Sequence, residues 1–598
     1  MHGIEPTDYV IVTTEEFQVA AEQLANFHQT QDALTSEIVK TNQIFNEFSS
    51  GSQDVTAIRD FLKYLYDKSG GEYPKYVLLF GDASYDYKDR IENNTNFVPS
   101  FQTLESLTAS ASSVWDDYFT WMDEDEGTTG IPDFAIGRIP VKTDDEAQAA
   151  VNKIIHYATN SDFGSWKNSI MFTADDDDGN LHIEQADSLT SILSANFGEL
   201  NIQKNYFDFF ELSPTPGGPL YPEVTKNINS GIEEGLLILN YTGHGGFQSW
   251  GQEQVLTTDD IDEWQNIDRL PLMVAASCQF SVYDDPEIVS GGEMAVLKED
   301  GGCIGIFGQV RLAYSQSNFR ANQLIIDYPG SDEFKTHKRL GDIYRYVKLH
   351  TANQITTYST HLLGDPAVKL TFPDFNIATT SVNGVELPAA LDTINPGAEI
   401  IISGNILDTE GNPANNFNGD LVVTVYERPY IRQTLGNANN SYVTDVTMQD
   451  SVMMQLQAEV VNGQFEYTFT LPLDISQDYG AIKLSHYAFT NTEDASGYFK
   501  DIVIGGEPNA IHSNIENGDF SVYPTLAENK LTLVNTGNSD KFQTQIIDLS
   551  GKTILSRDFN KIITPKKIQL DVSALSPGFY ILRVSSENGN DDFKFIKK

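Results

Sequence analysis

The chain has 598 residues, too many for one hydrophobic core, so three or four domains are expected. Apolar residues make up 40% and aromatic residues 11%, enough to fill such cores, which excludes wholesale disorder. With 85 acidic against 38 basic residues the net charge is −47, and this excludes nucleic acid as a partner, because a phosphate backbone needs Lys/Arg patches.

Two cysteines, Cys278 and Cys303, exclude a disulfide scaffold, although one bridge between them is arithmetically allowed. No apolar run approaches the roughly 20 residues that span a membrane. The start, Met1–Glu5, has neither a basic nor an apolar leader pattern. The expectation is therefore a cytoplasmic chain or a processed or truncated form, and the tail favours the second.

Taken in chain order, short apolar runs predict strands at Tyr9–Val12, Tyr76–Phe80, Phe134–Ile136, Ser169–Thr173, Leu236–Asn240, Leu272–Ala276 and Cys303–Phe307. Between them, apolar residues at helical spacing predict helices at Thr14–His28, Val55–Asp67, Asp144–Ala158, Ile183–Phe197 and Gly292–Glu299. Asp144, Asp145 and Glu146 place carboxylates where the helix dipole favours them. This alternation predicts an α/β unit, divided into an N-terminal part (1–160) and a catalytic part (161–372). From residue 373 to 506 the runs alternate with period two between Asn/Gly/Pro turns, which predicts a β-sandwich of immunoglobulin size. A polar linker, Glu507–Gly518, leads to a strand-rich block over 519–598.

Two stretches carry chemistry. Leu236–Asn240 runs into Tyr241-Thr242-Gly243-His244-Gly245-Gly246, a buried strand ending in a glycine-flanked histidine. Leu270–Ser277 is a second buried strand, with Cys278 at its carboxyl end. The spacing of 34 residues from His244 to Cys278 leaves room for one crossover. Neighbouring parallel strands would then set both side chains on the rim where open α/β sheets bind ligands. A thiol is mostly protonated at neutral pH, and an adjacent imidazole converts it to the nucleophilic thiolate. Taken singly, a strand-end cysteine or a lone histidine is more often structural. Cys303, inside an apolar run, reads as packing, and His156 and His361 lack a comparable setting. Neither Cys-x-x-Cys nor His-Glu-x-x-His occurs, which excludes zinc catalysis of those types.

The two stretches together resemble the gingipain family of caspase-like cysteine peptidases. The resemblance covers roughly residues 5–372 and also rests on Tyr76–Asp86, Asp116–Phe119, Phe134–Pro140 and His361–Leu370. Finer matches, at Phe45–Phe61, Asn94–Pro99, Gly291–Glu293 and Gly301–Gly302, are most similar to the family's sortase branch, the signal peptidases of the bacterial type IX secretion system. Val522–Thr525, Asp548–Lys552 and Leu575–Tyr580 resemble a type IX sorting domain, which implies export. The resemblance implies a caspase-like two-part catalytic unit, an immunoglobulin-like sandwich and a C-terminal β sorting domain. It implies Cys278 as nucleophile, His244 as general base, and the Gly245 and Cys278 amides as oxyanion hole. It also implies Asp116, or Asp117 in the other register, as the carboxylate orienting His244. Asp175, Asp176, Asp177 and Asp178 match a family calcium loop, the other reading being a plain acidic turn; no cofactor is required. The implied partners are polypeptides bearing sorting domains, outer-membrane secretion proteins and a surface glycolipid. Three functions stay open: a surface sortase, a released protease that degrades external protein, and a catalytically dead adhesin.

Overall fold

The computed structural model describes all residues except 106, 109–111, 329–338, 352–357, 476–477, 507–519, 525, 536–540, 549–551, 561–566 and 588. The linker expected over Glu507–Gly518 lies outside the described residues. The chain forms two compact units. The first holds Met1–Asn376 with Tyr430–Ser451 and Ser485–Gly497; the second holds Ile377–Pro429, Val452–Leu484 and Tyr498–Lys598.

The first unit is built on a ten-stranded sheet. Its strands are β1 (Tyr9–Thr13), β2 (Ser36–Lys40), β3 (Tyr76–Phe80), β4 (Ala135–Ile139), β5 (Ser169–Ala174), β6 (Asn201–Tyr206), β7 (Ile238–Thr242), β8 (Leu272–Ala276), β9 (Gly305–Gln309) and β10 (Thr360–Gly364). Their spatial order is β2-β1-β3-β4-β10-β9-β8-β7-β5-β6. Pairing is parallel except between β9 and β10, where Gly305 faces Gly364 and Gln309 faces Thr360. Along β8, Leu272 and Val274 enter one hydrophobic core while Met273 and Ala275 enter another. Both sheet faces are therefore covered, which is why these strands read as unbroken apolar runs rather than as alternating ones. The expected division at residue 160 does not divide this sheet, since β4 and β5 flank that position in sequence and both belong to it.

Helices α1 (Gln18–Asp32), α2 (Asp144–Thr159), α3 (Leu181–Asn196), α4 (Pro222–Glu234) and α5 (Ser315–Asp327) lie among the crossovers. The Thr143 hydroxyl caps α2 by accepting the Glu146 amide at 3.2 Å, and Asp144, Asp145 and Glu146 fill its first turn as the sequence predicts. The strand expected at Cys303–Phe307 starts two residues later, and β2, β6 and β10 are not among the strands expected from the sequence.

In the second unit, Glu399–Leu407 pairs antiparallel with Gln464–Thr470, and Gly419–Tyr426 with Val452–Val460. Burial along Gln464–Thr470 alternates strictly, with Phe465, Tyr467 and Phe469 inward, the period-two signature of a half-buried strand. The tail forms a three-stranded and a five-stranded sheet around Phe520, Leu531, Leu533, Ile546, Leu582 and Phe595.

Candidate active site

Strands β7 and β8 are parallel neighbours with Thr242 opposite Ala276. His244 and Cys278 each lie two residues beyond that pair, so both leave the carboxyl rim of the sheet at the same level. The Gly243 amide donates to the Ala276 carbonyl at 3.3 Å, carrying the pairing one residue into the turn. A Cβ at Gly245 would stand 2.9 Å from the Ser277 side chain and 3.2 Å from the Cys278 carbonyl. Only glycine lets the histidine turn approach the cysteine turn this closely.

The histidine turn is fixed through its backbone. Asp175 Oδ2 accepts the His244 amide at 3.0 Å, and the Tyr241 hydroxyl donates to the His244 carbonyl at 2.6 Å. That tyrosine stacks on Trp250 with ring centroids 4.5 Å apart, and the Gly251 amide donates to the same carbonyl at 2.9 Å. The imidazole itself stays open, with 44% of the side chain exposed, and its Nε2 lies 3.2 Å from Asp178 Oδ2. A carboxylate at this distance can fix the orientation of the ring.

Cys278 is half-buried and its sulfur receives the Ala313 amide at 3.4 Å. The thiol in turn donates to the Ala313 carbonyl at 3.6 Å. Gln279, the next residue, is left-handed at φ 59°, a conformation that bulky residues adopt only where the surroundings enforce it. Among the described residues the amides of Gly245 and Cys278 have no hydrogen-bond acceptor, so both are free to donate. Cys303, in contrast, is buried, unbridged, and its thiol is pushed up to about 12 by burial.

Asp116 is not at this centre, which corrects the expectation that it orients His244. Its two carboxylate oxygens accept Arg138 Nε and Nη2, both at 2.8 Å, and one also accepts the Ser100 hydroxyl at 2.7 Å. Burial alone would raise this carboxyl, but the Arg138 guanidinium and these hydrogen bonds hold it below its ordinary value. The alternative, Asp117, is equally occupied: it accepts Lys348 Nζ at 2.7 Å in the interior, and burial lifts it to about 6. Each is thus held in a buried ion pair, Asp116 with Arg138 of β4 and Asp117 with Lys348 of the helix Leu340–His350. The residue that faces His244 is Asp178, and sequence reasoning missed that role.

The four carboxylates Asp175–Asp178 do not gather on one point. Asp175 holds the His244 and Asp177 amides, Asp176 accepts the Tyr221 hydroxyl at 2.6 Å, and Asp178 faces His244. Burial lifts Asp176 to about 6. Burial and the same aspartates lift Glu253 to about 7, so the rim beside His244 is acidic.

Residues 4–371 match the model of peptidase family C25, and residues 521–598 match that of the secretion-system C-terminal sorting domain. Gingipain R2 of Porphyromonas gingivalis is 22% identical over 276 residues, which is 45% of this chain and 32% of that protein. The crystal structure of dimeric latent PorU from the same organism aligns at 21% identity and TM-score 0.40, covering 100% of this chain and 55% of PorU. The crystal structure of gingipain R (RGPB), an Arg-specific cysteine proteinase, aligns at 16% identity and TM-score 0.49, over 84% of this chain and 99% of that one. The chain thus spans about a third of the length of that curated gingipain and about half of PorU. The C25 match takes in the whole ten-stranded sheet, with His244 and Cys278 on its rim, and accounts for well over half of the sequence: the chain belongs to peptidase family C25, the family of the gingipains.

Proposed function

We propose that the chain is an exported cysteine endopeptidase in which Cys278 is the nucleophile and His244 the general base. The observation that carries this reading is the Thr242–Ala276 register, which sets His244 and Cys278 at equal offsets on adjacent strands. In the proposed reaction His244 takes the Cys278 proton, and sulfur attacks the scissile carbonyl, forming a C–S bond. The resulting oxyanion accepts hydrogen bonds from the Gly245 and Cys278 amides. Collapse breaks the C–N bond, and the imidazolium returns its proton to the departing amine. The thioester is then resolved by water, giving a carboxylic acid, or by an amine, giving a new amide. Asp178 orients the imidazole throughout.

The substrate class we favour is other polypeptides bearing type IX sorting domains, cleaved at the outer surface of the outer membrane and transferred to an amine on a surface glycolipid. The sequence resemblance to the sortase branch and the match of residues 521–598 to a sorting domain support export and this assignment. The competing reading, a released protease that degrades external protein, shares the same tail. Mass spectrometry of the mature protein separates them: a retained Lys598 end supports the sortase, and a tail lost near residues 507–518 supports release. The catalytic reading is tested by incubating wild type, Cys278→Ala and His244→Ala with a fluorogenic peptide library. Loss of roughly 10²–10⁴-fold in His244→Ala and of all turnover in Cys278→Ala is expected. Turnover that persists without Cys278 contradicts it.

A further inference from the structure

Asp178, His182 and His244 bring a carboxylate oxygen and two imidazole nitrogens within 4.8 Å of one another. Asp178 Oδ2 lies 3.2 Å from His244 Nε2 and 3.6 Å from His182 Nε2. Around a tetrahedral zinc ion with bonds of about 2.0–2.2 Å, neighbouring donor atoms sit roughly 3.3–3.6 Å apart, so the two separations from Asp178 are close to those of one shared ion. The two imidazole rings are nearly perpendicular, at 83° with centroids 5.2 Å apart, and do not stack face to face.

His182 is the second observation. Its side chain is only 5% exposed, and neither ring nitrogen makes a hydrogen bond of good geometry, the Gln185 side chain being the polar group beside it. Buried polar atoms left unpartnered are rare in folded proteins, and one of these nitrogens is among the three converging donor atoms. No step of the proposed peptidase reaction uses this residue. The arrangement is held from below: Asp178 and Asn180 are left-handed at φ 57° and 65°, and α3 begins at Leu181. Asp178, in the turn, and His182, in the first turn of α3, are thereby brought to face one another. The Asn180 side chain donates to the Tyr442 carbonyl at 2.6 Å and accepts the Tyr442 amide at 3.1 Å, which pins the turn within the same unit.

We propose that Asp178, His182 and His244 form a binding site for a divalent transition-metal ion of the zinc class, and that its occupation shuts off the peptidase. The mixed N/O donor set suits zinc, whereas calcium prefers an all-oxygen shell. A neutral imidazole that gives its Nε2 lone pair to a metal keeps its remaining proton on Nδ1. It then has no lone pair with which to accept the Cys278 proton. This inference rests on the reading of His244 as general base.

The test uses the full chain and zinc chloride, with calcium chloride as control. Calorimetry reports binding, and the rate of iodoacetamide labelling at Cys278, with zinc and with EDTA, reports the consequence. One zinc per chain is expected for wild type and for Cys278→Ala. His182→Ala is expected to weaken zinc binding by at least about tenfold, the scale of loss seen even for outer-shell partners. Zinc should suppress labelling of the wild type reversibly, and at the same concentration should leave the ratio of zinc to EDTA rates in His182→Ala near one. Should His182→Ala unfold, judged by its thermal transition, His182→Gln carries the same expectations. Calorimetry without zinc binding, binding unchanged by loss of His182, or binding lost in Cys278→Ala overturns the proposal. Slow labelling of wild type in EDTA instead removes the general-base reading, while calorimetry still reports on the metal site.

Discussion

Asp178→Asn removes the carboxylate that faces His244 Nε2, and Asp116→Asn removes the one bound to Arg138, so the pair separates catalysis from stability. Asp178→Asn is expected to slow peptide cleavage by at least about tenfold, as loss of an orienting carboxylate does, and to shift the denaturant midpoint little, because Asp178 is 54% exposed. Asp116→Asn leaves a buried guanidinium without its ion-pair partner, a loss of about 3–5 kcal/mol read from urea unfolding. Should Asp116→Asn abolish cleavage at unchanged stability, the assignment of the two aspartates would be reversed. At this scale Cys278 and His244 were legible because each ends a strand-length apolar run, and the glycines around His244 mark a close approach. Asp178 was not legible. Its partner is set by a left-handed turn and by contacts between Asn180 and Tyr442, 262 residues apart in sequence. His182 was missed as well, since its Asp-x-x-x-His spacing gains meaning only once His244 joins from another strand.

The elements explain why the rim is intolerant of change. Gly245→Ala would press a methyl group into Ser277 and the Cys278 carbonyl, and the strands behind cannot yield because β7 and β8 are buried on both faces. The expected cost is about 1–3 kcal/mol in unfolding free energy, with cleavage lost beyond what the unfolded fraction explains. Thermal unfolding and turnover measured on the same sample check this, and a variant with full turnover would show that the two turns have slack. Strands buried on both faces announced themselves as apolar runs, so most of the sheet was legible. The exceptions are the edge strands β2 and β6, which are only partly buried and carry polar residues, and β10, whose His361-Leu362-Leu363-Gly364 run is short and pairs antiparallel to β9, an arrangement no crossover pattern signals. Sheet order, and with it the absence of a break at residue 160, depends on pairing between distant segments that local patterning does not encode.

For the molecule as a whole, buried histidines bound the pH range of stability of the first unit. His361 is buried as a neutral ring, accepting the Asp116 amide on Nε2 at 3.2 Å, with Nδ1 3.1 Å from the Ser359 carbonyl. Burial lowers it from 6.5 to about 4. Between those values the unfolded chain binds a proton that the folded chain does not. Its contribution of about 3 kcal/mol is therefore present above pH 6.5 and lost as the pH falls toward 4. His28 is the opposite case: burial would lower it, but Asp365 and Asp32, each 2.7 Å from a ring nitrogen, raise it to about 9. Its contribution is present below pH 6.5 and lost as the pH rises through 9. Urea unfolding across pH 4–9 should therefore weaken toward both ends, and His361→Gln should flatten the acid limb. An acid limb unchanged in that variant would show that other groups cause it.

The most direct test of the central claim is the rate of iodoacetamide labelling of the folded protein in EDTA, located by peptide mass spectrometry, for wild type and His244→Ala. The account predicts rapid labelling at Cys278, none at the buried Cys303, and a fall of roughly 10²-fold or more at Cys278 when His244 is removed. Equal labelling of Cys278 with and without His244 would contradict it.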